Sequence, residues 1–579
     1  MKKLFLAIMA IAAITLVGCK DKNDPKNENA DLVVYGKIFT AENNAIADAL
    51  AVKDGKFVYV GDRDGVTKYI ENGKTQVINC PDNGMIMPSC ADGHAHYMMA
   101  NALKAIGTMV DGECTPAKFL SEALPAAVQS AKANNSKAVF GFGWNYHLFK
   151  DNMPTRKQLD SICADIPVYF ADEEGHKGLV NTLALVNAGI MKADGTVLKK
   201  GKDIRGGEIV MGKDNTPTGL LLEQAGTYAR QTLDNNQMYT VAIAAQNLQD
   251  MERQLLSKGY TMYMDGWSNY FFNDYFYQAA QQQDNAGNMH FVLGLSHEIE
   301  SWMTLSDELT KASNSKKYAS KHVLPQWIKL FIDGTVEGGS GYSKIPYPDG
   351  HQGIVNWNTQ EVTDITRQAN GNGLRMHVHT MGDSAVALAV DAFVAGGQDD
   401  KRNTIVHVRN ILPETLQKMA DHNITATVGV LWHQFHWFGP IGMYLLGMVP
   451  EGYEDKSYPM KSFFDNKINM SSSTDFPALS GAPDSPFGIM EIAVTGMSDP
   501  TEQLPWWTEE LLTREQALQV LTINGAKQMF LEDERGSIKV GKYADFLLID
   551  QDVLRCEAQN IHNTKVVATY FEGKEVYKK

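Results

Sequence analysis

The sequence predicts an α/β protein built on a (β/α)8 TIM-type barrel, with an inserted subdomain after the first strand and a small β-sandwich domain assembled from both chain ends. Three observations predict it. Short β-rich runs alternate with helical patterns such as "SDELTKASNSKKYASKHV" and "TREQALQVLTINGAKQMF", which implies βα units and a mainly parallel sheet. Eight strand-like runs end at His94-Ala95-His96 and then at "YTMYMDG", "HFVLGLS", "IKLFIDG", "LRMHVHT", "TIVHV", "TATVGV" and "NMSSSTD", and eight is the number that closes such a barrel. The two termini share a different style, short strands separated by tight turns such as Asp54-Gly55 and Glu572-Gly573-Lys574.

The elements follow in order. Residues 1–18 have a basic start at Lys2 and Lys3, an apolar run too short to span a bilayer comfortably and small residues before Cys19, the pattern of a signal peptide. Leu16-Val17-Gly18-Cys19 resembles the bacterial lipobox, which implies lipidation of Cys19, and "KDKNDPKNENAD" reads as a flexible tether over 19–30. The expectation is therefore an exported, membrane-anchored lipoprotein, periplasmic or on the outer surface. Residues 31–86 and 539–579 form the composite β domain. The barrel takes 87–538, interrupted by an insertion at about 101–255 that contains the strand-like "AVFGFGW" and "PVYFAD".

Net charge is −15, and −17 once Lys2 and Lys3 are removed. Such acidity argues against nucleic acid as a partner and leaves a small-molecule substrate as the expected ligand. Association of several copies is compatible with this composition. The cysteines after Cys19, at 80, 90, 114, 163 and 556, are odd in number and scattered, so neither a disulfide framework nor a thiolate zinc site is expected.

Residues at the C-terminal ends of barrel strands share one mouth however far apart they lie in sequence. Reading those ends collects His94, His96, Lys329, His379, His407 and Asp475. Imidazole and carboxylate together suit zinc, iron or manganese. In "DGHAHY" the two histidines sit two apart and so face one way on a strand. Lys329 is flanked by Ile328, Leu330, Phe331 and Ile332, where burial favours the neutral amine. A neutral amine adds carbon dioxide, and the carbamate so formed is an anionic oxygen ligand that can bridge two metals. In "MHVHTMGD" the period-two rule places His377 and His379 on the same face, and spacing does not choose between them.

The chain resembles the amidohydrolase superfamily, and within it the YtcJ-like branch that includes N-substituted formamide deformylases. The likeness rests on "MPSCADGHAH", "GFGWN", "MPTRKQLD", "GHKGLVNTLAL", "GGEIV" with "PTGLLLEQA", "IKLFIDG", "HTMGD", "SSTDFP" and "GSIKVGKYADFLLIDQD". It implies one or two divalent metals, zinc being the first choice, on His94, His96, carbamylated Lys329, His379 and His407. Asp475 then serves as both ligand and proton shuttle. The resemblance selects His379 because the family pattern runs from the ligand histidine to Gly382-Asp383, and it implies that Trp144 and His176 line the substrate pocket. Asp383 would hold His379 in its tautomer or cap a helix. Ser89, Val406 and "DGTVEGGSGY" depart from the usual pattern. The implied reaction is hydrolysis of a non-peptide amide-like C–N bond in an N-acyl or N-formyl compound by metal-activated water. Competing readings are another metal-dependent reaction on this fold (ester hydrolysis, isomerisation or decarboxylation) and a silent lipid-tethered binding protein.

Overall fold

A computed structural model describes residues 29–579 apart from 174, 234–238, 337, 434–448, 454–456, 478–484 and 498–506. The leader, Cys19 and most of the tether lie outside the described residues, as does part of the aromatic run "LWHQFHWFG". Among the described residues, no helix is long and apolar enough to cross a membrane.

All eight anticipated barrel strands are present: β1 (Cys90–Ala95), β2 (Tyr260–Asp265), β3 (Val292–Glu298), β4 (Val323–Phe331), β5 (Arg375–Thr380), β6 (Thr404–His407), β7 (Thr425–Val428) and β8 (Met470–Ser472). Each is hydrogen-bonded in parallel to the next in chain order. They are buried almost throughout, as expected for parallel strands covered by helices on the outside and packed against one another within.

Between β8 and β1 the barrel is nearly closed, held by individual contacts where the other strand pairs have a ladder. Asp475 N donates to His94 O at 3.0 Å and His96 N donates to Phe476 O at 2.7 Å. Below them, the buried Asp92 carboxylate accepts from Thr474 N (3.1 Å) and Thr474 Oγ1 (2.6 Å). Gln528 closes the lower seam, donating from Nε2 to Gly93 O (2.9 Å) and accepting from Ser471 Oγ (2.6 Å). Gly93 makes this approach feasible, because a Cβ there would lie 2.6 Å from Gln528 Oε1 and 2.9 Å from Ser472 O.

The chain ends meet in one eight-stranded sheet. Its path runs Lys574–Lys578, Val566–Phe571, Phe546–Ile549, Met85–Pro88, Leu32–Phe39, Ile46–Lys53 and Lys56–Gly61, with Gln76–Asn79 pairing on Leu32–Phe39. The ladder curls until its arms face each other, bringing the Phe57 and Phe546 rings to 6.1 Å over a core that includes Leu32, Val34, Leu50 and Leu548. Strand Met85–Pro88 leads through Ser89 directly into β1, so the sheet anchors the first barrel strand. His322 ties the sheet to the barrel, with Nδ1 at 2.6 Å from Asp284 and Nε2 at 3.0 Å from Glu572.

A six-stranded mixed sheet fills the insertion, in the order Gly207–Met211, Pro217–Glu223, Lys177–Val180, Val168–Asp172, Val139–Trp144 and Thr108–Met109. Helices Tyr97–Ile106 and Val241–Lys258 flank it in sequence and pack on each other. The second is capped by Thr240, whose hydroxyl accepts from Ile243 N, and stopped by Gly259 in the left-handed region. The boundary at about 255 drawn from sequence falls inside this helix.

Replacing Gly93 by alanine should destabilise the protein by about 1–3 kcal/mol, the usual range for overpacking, read as a lower denaturant midpoint. An unchanged midpoint would show that the seam tolerates a methyl group.

Candidate metal centre

β1 delivers the first two histidines. His94 is fully buried and His96 begins the turn into helix Tyr97–Ile106, their rings 4.8 Å apart and nearly perpendicular. The segment is braced by Tyr263, whose hydroxyl accepts from Tyr97 N (3.0 Å) and lies 2.9 Å from Ala95 O and 2.6 Å from Asp265 Oδ2. Gly266 gives the rings their room: a Cβ there would stand 2.1 Å from His94 Cε1 and 2.8 Å from His96 Cε1. His94 Nδ1 is 2.7 Å from His377 Nε2. With the hydrogen on Nδ1 donated to His377, His94 turns its Nε2 lone pair toward the mouth.

The remaining residues converge on that point. Lys329 Nζ lies 3.4 Å from His94 Nε2. Asp475 Oδ1 is 3.5 Å from His94 Nε2 and 3.4 Å from His96 Nε2, and its Oδ2 is 3.8 Å from His407 Nδ1. The His379 and His407 rings are 4.4 Å apart. His379 Nε2 donates to Gly334 O at 3.2 Å, which leaves its lone pair on Nδ1. The geometry thus separates the two β5 histidines. His377 braces His94 from within the barrel, while His379 lines the cavity at the mouth.

Backbone strain concentrates here. His407 (φ 70°), Val408 (φ 51°) and Asp475 (φ 51°) occupy the left-handed region, which costs a side-chain-bearing residue of order 1–3 kcal/mol. Their surroundings must hold them there. Val408 N donates to Thr380 O, and Asp475 N to His94 O, each at 3.0 Å.

The donor set fits a divalent cation. One ligand atom each from His94, His407 and Asp475 lies within 4.8 Å of the others, and Asp475 Oδ1 has no hydrogen-bond partner although buried. Burial, reinforced by Lys329 and neighbouring imidazoles, holds His94, His377, His379 and His407 far below the usual histidine range, so they are neutral bases. Burial likewise pulls Lys329 down to about 8, lowering the cost of an amine beside a cation.

A cavity of about 290 Å3 opens over the centre. His96, His379, His407 and Asp475 floor it, and His176 reaches it from the insertion, its Nδ1 2.7 Å from Glu223 Oε2. Glu223 is held below the usual carboxylate range by His176 against the opposing effect of burial.

Two expectations require correction. Trp144 does not line the cavity: it is fully buried in the insertion core, packed on Phe149 and donating Nε1 to Phe170 O at 2.9 Å. Its neighbours Phe142 and Asn145 line the cavity; strict alternation would put Trp144 on the Phe142 side, but the register shifts between Phe142 and Trp144, where Gly143 takes φ 109°, and the indole goes to the insertion core. Asp383 does not hold His379. It occupies the first turn of helix Asp383–Gly396, accepting from Lys344 N (2.8 Å) and the Tyr453 hydroxyl, and Gly382 is the cap position. Asp333 stands by His379 instead, 3.8 Å from Nε2, and accepts from Met381 N, Gly382 N and Tyr342 N. Sequence reasoning also missed Trp267, Glu298, Glu300 and Asn356, all lining the cavity. For Glu298 and Glu300 the signal was a pair of acids, "HEIE", ending an apolar strand. Trp432 contributes aromatic wall, whereas His433 turns its Nδ1 to Ser457 O at 3.0 Å.

Comparison with known proteins agrees with this architecture. The chain is 25% identical over 584 residues to Protein LONG AFTER FAR-RED 3 of Arabidopsis thaliana, covering 96% of this chain and 93% of that one. It is 24% identical over 566 residues to N-substituted formamide deformylase of Arthrobacter pascens, covering 94% and 97%. An uncharacterized metal-dependent hydrolase from Pyrococcus horikoshii OT3 shares the fold, with a TM-score of 0.69 at 19% identity over 91% of this chain and 99% of that one. The amidohydrolase family model matches residues 76–577, spanning terminal sheet, barrel and insertion, and the chain belongs to that family.

Proposed function

We propose that the protein hydrolyses a non-peptide amide-like C–N bond in an N-acyl or N-formyl small molecule, using one or two divalent metals, zinc being the best fit. The observation that carries this is the convergence of His94, His407 and Asp475 with an unpartnered carboxylate oxygen at the floor of a cavity. Family membership supports a hydrolase, and the similarity to an N-substituted formamide deformylase supports the bond type.

In this reading His94, His96, His379, His407 and Asp475 hold the metal together with Lys329 as a carbamate. The bound cation supplies Lewis acidity, polarising the scissile carbonyl and lowering the pKa of water to about 7. The protein's residues do the rest. Asp475 takes a proton from the attacking water and returns it to the departing nitrogen as the C–N bond breaks, acting first as base and then as acid. His377 keeps His94 in the required tautomer. Trp267 and Phe331, with ring centroids 5.4 Å apart, wall the reacting groups against bulk solvent. Carbamate formation joins the Lys329 nitrogen to carbon dioxide and releases one proton to solvent. From the leader sequence we further propose an exported protein tethered through lipid at Cys19.

Asp475→Asn should lower kcat by about 10^2–10^4-fold with zinc content, measured by elemental analysis, near that of the wild type. Near-normal turnover with metal retained would reject the shuttle. Labelling with 13C-bicarbonate should give a carbamate resonance that disappears in Lys329→Met. Its intensity at fixed carbon dioxide pressure should rise with pH through about 8 as the buried amine loses its proton. No resonance in the metal-loaded wild type would remove Lys329 from the ligand set.

A further inference from the structure

The insertion reaches the metal centre through one ion pair. His176 immediately precedes strand Lys177–Val180 and Glu223 ends strand Pro217–Glu223, antiparallel neighbours in the insertion sheet. The two residues are joined twice: Glu223 N donates to His176 O at 2.7 Å, and His176 Nδ1 lies 2.7 Å from Glu223 Oε2. Both line the cavity, their side chains 11% and 6% exposed.

Glu223 is held in this pair against local preference. Its backbone takes φ 50°, the left-handed region, and although it stands at the N-cap of helix Gln224–Arg230 its side chain makes no capping hydrogen bond. Side-chain oxygens at that position commonly serve the helix, but Oε2 is turned to His176. Gly334 makes the room, since a Cβ there would stand 2.6 Å from Glu223 Oε1. The carbonyl of the same Gly334 accepts from His379 Nε2, so one residue sets both the insertion's carboxylate and a candidate metal ligand. The His176 ring is 5.6 Å from that of His379 and 6.0 Å from that of Phe331.

An ionised carboxylate so buried needs a cation beside it, and His176 protonated on both nitrogens is that cation. With Nδ1–H given to Glu223, the donor the ring retains for the cavity is Nε2–H. A preorganised donor of this kind is worth most where charge develops on an oxygen during reaction.

We infer that His176 is a catalytic residue supplied by the insertion, its Nε2–H donating to the oxygen of the scissile carbonyl, and that Glu223 is the positioning residue that aims it. This deepens the hydrolytic reading and rests on it. As water adds to the carbonyl carbon, the π electrons move to the oxygen and the hydrogen bond from His176 strengthens. When the tetrahedral carbon collapses, the C–N bond breaks and Asp475 protonates the nitrogen, while His176 keeps its proton throughout.

The test uses the full-length, zinc-loaded protein and two probes of similar size: N-butylacetamide, a planar amide, and butyl methylphosphonate, a tetrahedral anion. Calorimetry on His176→Phe should show phosphonate affinity falling about 10^2-fold, with amide affinity changed by less than about threefold. His176→Gln, which keeps an N–H donor, should recover part of the phosphonate affinity, and Glu223→Gln should weaken the phosphonate more than the amide. Equal losses for the two probes, an unchanged phosphonate affinity in His176→Phe, or no phosphonate binding to the wild type at millimolar concentration overturns the inference. If His176→Phe does not fold, His176→Gln decides by the same comparison: a larger loss for the phosphonate supports the assignment and equal losses overturn it. Amine release from N-acyl and N-formyl compounds is scored apart. Phosphonate binding that depends on His176 without any release keeps the donor assignment and rejects the hydrolytic reading, while release with binding indifferent to His176 does the reverse.

Discussion

The structure depends on one constraint: a cluster of nitrogen bases is buried where none of them can hold a proton cheaply. His94, His379, His407 and Lys329 share the barrel mouth; burial lowers the proton affinity of each, and Lys329 lowers that of the three imidazoles further. Asp475 is the counterweight, within 3.5 Å of two of the imidazoles and with an oxygen unpartnered. A divalent cation held by His94, His407 and Asp475, whose ligand atoms lie within 4.8 Å of one another, would offset that burial. The fold therefore makes a strained, electron-rich pocket whose stability and chemistry have the same cause.

That pocket exists because the barrel closes where its ladder is weakest. The contacts from His94 O to Asp475 N and from His96 N to Phe476 O bring the first and last strands together, and three of these four residues, His94, His96 and Asp475, are candidate ligands. Glycines at 93 and 266 let backbone and rings approach to distances a side chain would forbid. The left-handed conformations at His407 and Asp475 aim side chains that an extended strand end would send elsewhere. Closure, strain and ligand placement are one arrangement seen from three sides.

Much of this was legible in sequence because it rests on period and order. Strand-terminal His94, His96, Lys329, His379, His407 and Asp475 could be collected by knowing only that strand ends share a mouth. The choice between His377 and His379 was not accessible to spacing, since both face inward, and depth within the barrel separates them. Trp144 was misplaced because a motif shows which residues travel together but not which sheet face each one takes. Asp383 was misassigned for a related reason: Asp333, fifty residues earlier and in the bend that follows β4, reaches His379 through space. Glu298, Glu300 and Asn356 gave no metal-like spacing, and only the fold brings them together on the cavity wall.

The curled sheet made from the two chain ends has a consequence for biosynthesis. Strand Met85–Pro88 must wait for Phe546–Ile549 before its outer edge is paired, an interval of about 450 residues, or roughly 20–90 s at ordinary elongation rates. Throughout that interval an apolar β edge stands open on the nascent polypeptide, a template for misassociation. The strands that follow the barrel act as the clasp that closes this edge.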